Sequence, residues 1–203
     1  MTGEERTIHR LEAFSDIVIG FSLAQLGVSL LRRTDGGTVI DVAGILAFLF
    51  AFGIICSLWF FHHRLFAALF KPKTLPMLLN FAWLAGVVML VVVAQKVAEN
   101  WSDARIDEMY FGLYAFSYGI LAVQAAIGLR DGADLSQEQR LGGERQLAFM
   151  RYWAIVFAVC FAIVAFLPPA AFAGDLISAT FAAAGAGSFV IGRILRRRAV
   201  PTT

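Results

Sequence analysis

The sequence predicts an all-α fold, an integral-membrane bundle of six transmembrane helices forming a single domain over residues 1–203. Three observations carry that reading. Apolar residues make up 59% of the chain and mean hydropathy is +0.73, well above the roughly 45–50% apolar usage of soluble domains. Six apolar runs each approach the roughly 20 residues a helix needs to cross a bilayer core. The basic residues gather in alternate loops, as the positive-inside bias requires.

The first run spans about residues 13–31 and follows a charged N-terminal stretch. It lacks a small-residue cleavage site, so it reads as a retained helix and not as a removed signal peptide. The second run, about 40–61, ends in Trp59-Phe60-Phe61-His62-His63-Arg64-Leu65-Phe66. The third covers about 75–95 and the fourth about 108–129. Between the fourth and fifth lies the longest polar stretch, read as a partly helical linker, with Ser136 and Gln139 spaced as a helix cap. The fifth and sixth runs, about 152–172 and 176–194, are separated by Pro168-Pro169 and Gly174. Proline removes a backbone donor and glycine permits a tight reversal, so these two runs read as a hairpin.

The N-terminus, the 62–74 loop, the 130–151 segment and the tail from Arg193 hold 13 of the 17 Lys and Arg. That asymmetry predicts cytoplasmic termini on both ends, in the plasma or inner membrane of a cell. A net charge of +2 gives no reason to expect a nucleic-acid partner. Cys56 and Cys160 each sit inside an apolar run, which fits core filling and neither a disulfide framework nor a CxxC site. The spans offer no converging nucleophile, base and metal cluster, so an enzyme is not expected. Asn100-Trp101-Ser102 matches a glycosylation sequon of the kind common by chance. Glu99, Asp103 and Asp107 recur every four residues beside it, the pattern of a solvated loop or of an acidic mouth that concentrates cations.

The first helix carries most of the information. Asp16 lies about a turn inside its apolar run. A carboxylate there is either an interfacial residue favoured by the helix dipole or a buried functional group that needs a partner. At 100° per residue, Phe21 and Val28 share one stripe with Ala24 and Gln25 at its edges. Ala13, Gly20, Ala24 and Gly27 form a neighbouring stripe of small residues, which lets membrane helices approach closely. Ser15, Ser22 and Ser29 mark another flank. Such a helix suits the wall of a pathway through protein, and it also suits an ordinary buried helix. His62 and His63 diverge by about 100° and so do not share a metal ion readily. One of them facing inward is placed to meet Asp16, whereas His9 is expected in solvent.

Arg10-x-x-x-Phe14-Ser15-Asp16 resembles the RxxxFSD signature of the transmembrane protein 175 family of lysosomal and prokaryotic potassium channels. The WFFHHRLF run resembles that family's second-helix ending. The resemblance implies a homotetramer whose four first helices line a central pore in the lipid bilayer. It implies potassium, or another monovalent cation, as the permeant ion, with no cofactor. Selectivity in the family comes from a hydrophobic constriction on the first helix. Carried across, the constriction falls on Phe21, where the family has Ile or Leu, and the hydroxyl position falls on Ala24, where it has Thr or Ser. Gln25 and Ser22 are the candidate substitutes. The third helix ends VVVAQKVAEN, without the family's Pro-rich close, so the chain reads as a divergent member.

The expectation is therefore a potassium-selective or weakly selective cation channel with Phe21, Ala24, Gln25 and Val28 as pore wall. Arg10, Phe14, Ser15, Asp16 and an inward His62 or His63 would support that helix, with Asp16 paired to a histidine or to Arg10. The alternative is a non-conducting scaffold or small-solute carrier of the same fold. Carriers favour broken helices and mid-membrane charges, and the central thirds of these runs hold almost none.

Overall fold

The computed structural model describes residues 2–31, 42–99, 104–166 and 187. Among them every element is helical: α1 (Gly3–Leu31), α2 (Val42–Ala68), α3 (Thr74–Glu99), α4 (Ala104–Asp131) and α5 (Gln137–Phe166). All five are long and apolar enough to cross a membrane. The expected sixth helix and the hairpin before it lie outside the described residues apart from Gly187, which packs against the Tyr152 hydroxyl of α5. The sequon and the side chains of Glu99, Asp103 and Asp107 also lie outside them.

Several helices run further than hydropathy predicts. α1 starts ten residues before its apolar run because Thr2 and Glu5 form a capping box. The Thr2 amide donates to Glu5 Oε2 (2.7 Å) and the Glu5 amide donates to Thr2 Oγ1 (3.2 Å). Glu4 and Glu5 then sit in the first turn, where the dipole favours acids. α2 continues past its His pair to Ala68. The expected 130–151 linker shrinks to five residues, because the Ser136–Gln139 cap is real. The Ser136 amide donates to Gln139 Oε1 (3.0 Å), the Gln139 amide donates to Ser136 Oγ (3.2 Å), and α5 runs unbroken from Gln137 into the span.

Successive helices are antiparallel. α1 packs on α2 and α3, α3 packs on α4, and α4 packs along α5. Two glycines fix the approach at one end of the bundle. A Cβ on Gly128 of α4 would collide with the Leu69 carbonyl, and one on Gly143 of α5 would lie 2.9 Å from Leu129 Cδ2. At that end Lys73 pairs with Asp131 at 2.8 Å and Lys71 with Asp134 at 3.3 Å, tying the α2–α3 loop to the α4–α5 loop. The apolar interior lies between this charged band and Lys96 of α3. Its centre is an aromatic stack of Tyr114 and Tyr118 of α4 on Phe157 of α5, with centroids 4.7 and 5.8 Å apart. Cys160 is buried beside it and Cys56 half-buried.

Candidate functional site

α1 has two unlike faces. Leu11, Ser15, Ile19, Ser22 and Leu26 are buried against α2 and α3. The Ser15 and Ser22 hydroxyls donate to the carbonyls of Leu11 and Val18, each at 2.8 Å, so neither needs an outside acceptor. The hydroxyl flank seen in the sequence thus faces the bundle. Ser29 lies outside the described side chains.

Behind that face a buried polar chain joins three helices. His62 of α2 is fully buried, its ring stacked on Trp83 of α3 at 4.3 Å and 6°. Its Nε2 lies 2.8 Å from Asn80 Oδ1, and Asn80 Nδ2 donates to Ser15 Oγ at 3.3 Å. An amide oxygen only accepts, so the proton is assigned to Nε2. The donors then run in one direction, His62 to Asn80 to Ser15 to the Leu11 carbonyl. Three buried polar side chains satisfy one another, and each fixes a different helix. His62 Nδ1 has no partner among the described residues.

Asp16 lies beside this chain and not in it. Sequence reasoning pairs it with a histidine or Arg10, whereas its Oδ1 accepts the Trp59 indole N–H at 2.7 Å. The reason is register: Trp59 and His63 stand one turn apart on α2, with stacked rings 5.6 Å apart. That places His63 opposite Glu12, 2.9 Å away, one turn below Asp16. With α1 starting at Gly3, Asp16 is also well past the first turn, so the helix dipole does not account for it. Arg10 is exposed, with no ion pair among the described residues. Phe14 packs edge-on against Phe81 of α3 at 6.3 Å.

Beyond the Phe14–Phe81 contact, the opposite face of α1 meets no other described helix. Phe14, Ile17, Phe21, Ala24 and Val28 are spaced alternately three and four residues apart and all are exposed, Phe21 to 72%. Gly20 and Gln25 lie on the same face, and a Cβ on Gly20 would meet nothing. Phe21, Ala24, Gln25 and Val28 are therefore together on one open stripe, and Ser15 and His62 are together on the packed side. His63 and Asp16 sit at the rim between the two.

Asn80 and Trp83, the partners of Ser15 and His62, escape the sequence reading. The available signal is an amide inside the apolar run 75–95, whose other amide, Gln95, stands at its end. Two further helices are locked by amides: Gln146 Nε2 of α5 donates to the Phe61 carbonyl (2.7 Å), and Gln124 Nε2 of α4 donates to the Pro76 carbonyl (3.2 Å).

Residues 10–90 match the family model described as endosomal/lysosomal potassium channel TMEM175, consistent with a divergent member of that family. The matched region runs from Arg10 through the Trp59–His63 segment into α3, and so holds every residue of the polar chain. No curated protein and no solved structure matches the chain. The apolar helices mark a multi-pass membrane protein, and the match over residues 10–90 is to a potassium channel family.

Proposed function

We propose that the chain is one subunit of a cation channel, with four copies placing the open faces of α1 around a central pore and potassium as the permeant ion. The observation that carries this reading is the stripe Ile17–Phe21–Ala24–Val28, spaced four, three and four residues apart, which no other described helix covers. Spacing of three and four residues is that of helices packing at a shallow angle around a common axis. Gln25 stands on that stripe, about 13 Å along the helix from Asp16. A lipid-facing amide at that depth leaves its hydrogen bonds unmade, whereas a wetted pore or a facing copy satisfies them. The small side chains of Gly20 and Ala24 admit the close approach that closed symmetry needs.

On this reading Phe21 forms the narrowest ring and gates by excluding water from an apolar gap. Gln25 stands in for the hydroxyl that Ala24 does not provide, and both termini lie on the cytoplasmic side of the cell membrane. The Ser15–Asn80–His62 chain and the Asp16–Trp59 bond hold α1 in register and take no part in permeation. Reconstitution into liposomes tests the reading by measuring potassium, sodium and proton flux. Cation flux that depends on Phe21 supports it. No flux from any variant would favour a non-conducting scaffold of the same fold.

A further inference from the structure

On the side of the bundle away from α1, helices α4 and α5 leave between them a groove of about 450 Å³. Its floor is made by small side chains, Gly119, Ala122 and Ala126, with Ile155 on the α5 wall. Two cations also line it: Arg130, in the last turn of α4, and Arg151 of α5. The groove thus runs from the charged band at the loop end, where Arg130 sits, about 16 Å toward Gly119 within the apolar slab.

The cations that line it exceed the carboxylates that face them. Asp131 accepts from Arg130 Nε at 3.2 Å and from Lys73 Nζ at 2.8 Å, so one carboxylate is shared between two cations. Asp134 is engaged by Lys71. Arg151 is exposed and has no acidic partner among the described residues. A guanidinium at the edge of hydrocarbon is costly without an anion, and its five donors suit a phosphate oxygen pair. A groove lined by Arg130 at the loop end and by Arg151 further along the α5 wall, and otherwise apolar, matches an anionic phospholipid, with its phosphate between the two arginines and one acyl chain along the apolar lining.

We propose that the α4–α5 groove binds an anionic phospholipid, its headgroup held by Arg130 and Arg151 and one acyl chain lying over Ala122, Ala126 and Gly119. The site is separate from the α1 face, and its occupancy does not depend on whether the protein conducts.

The test is native mass spectrometry of the purified full chain in neutral detergent, titrated with phosphatidylglycerol or with phosphatidylcholine of the same acyl composition. Phosphatidylglycerol should stay bound under activation that strips phosphatidylcholine. Arg151→Gln and Arg130→Gln should each weaken its retention roughly fivefold, the effect of one basic side chain near a lipid headgroup. Arg151→Lys should keep the preference for the anionic lipid. Ala126→Leu fills the floor and should reduce retention with both arginines in place, which separates a lipid site from a simple phosphate site. Arg130 and Arg151 are exposed, so circular dichroism of their variants should match the wild type. Equal retention of the two lipids, or a double Arg→Gln variant that retains phosphatidylglycerol as well as the wild type, would overturn the proposal. So would unchanged retention in Ala126→Leu. An altered oligomer size with lipid retention intact would assign the groove to a second copy and overturn it too.

Discussion

The Trp59 indole N–H donates to Asp16 Oδ1 across 2.7 Å, joining the fourth turn of α1 to the C-terminal half of α2. Both groups are exposed in the single chain, so the bond is worth about 1 kcal/mol, below the roughly 1.5–3 kcal/mol typical of a charged partner. Asp16→Ala should lower stability by about that amount, and Trp59→Phe should do the same. Asp16→Asn keeps an acceptor oxygen and should recover most of the loss. The check is thermal unfolding in detergent with the double variant included: if the pair is one interaction, the second substitution adds little to the first. Fully additive losses would mean that the two residues act separately.

Asn80 is the hinge of the buried chain, because it accepts from His62 and donates to Ser15. Asn80→Leu preserves volume and removes both bonds, leaving an imidazole N–H and a hydroxyl buried without that partner. The cost should be about 3 kcal/mol, well above that of Ser15→Ala, which strands only one amide hydrogen. Chemical denaturation of the two variants checks the order. A larger loss from Ser15→Ala would move the weight of the network onto α1 itself.

Two glycines should respond oppositely to alanine. At Gly128 the new methyl meets the Leu69 backbone carbonyl, which cannot rotate away, so α4 must shift off α2. Gly128→Ala should destabilise the subunit by about 1–3 kcal/mol. At Gly20 the methyl meets nothing within the chain, and glycine in a helix interior is itself unfavourable by about 1 kcal/mol. Gly20→Ala should therefore leave subunit stability unchanged or raised, while altering oligomer size or cation flux. Unchanged assembly and flux would count against an α1-centred interface.

Much of this architecture follows from sequence rules, and the exceptions have physical causes. Hydropathy reports where the bilayer lies and not where a helix begins. It therefore misses the Thr2–Glu5 cap that carries α1 through its charged N-terminus, although T-x-x-E is itself a readable signal. The same rule read Ser136 and Gln139 correctly and only underestimated how far α5 continues. Ser15, Asp16 and His62 stand out as polar side chains in apolar runs. Their pairing does not, because it depends on the register between α1 and α2. Shifting α1 by one turn would bring Asp16 opposite His63, and would break the Asn80–Ser15 and Trp59–Asp16 bonds that hold the observed register. Asn80 is one of two amides in the run 75–95, and nothing local says that it meets two other helices.

Phe21 tests the channel reading most directly. It is 72% exposed in the single chain, so Phe21→Ala removes little buried area and should change subunit stability by less than about 0.5 kcal/mol. Around a fourfold axis the same side chain would meet its own copies, and four rings closing an apolar gap would expel water and hold the pore shut. The wild type should then conduct weakly, and Phe21→Ala should let the gap wet. The expected result in liposomes is larger cation flux, with poorer discrimination between potassium and sodium. Gln25→Leu should act differently, lowering flux by removing the one amide on the stripe. If wild type and Phe21→Ala conduct equally and Gln25→Leu alters selectivity, the constriction sits at Gln25 and its neighbours. If Phe21→Ala lowers subunit stability as much as Asn80→Leu does, Phe21 is packed against protein that the single chain does not contain, and the open-pore geometry fails.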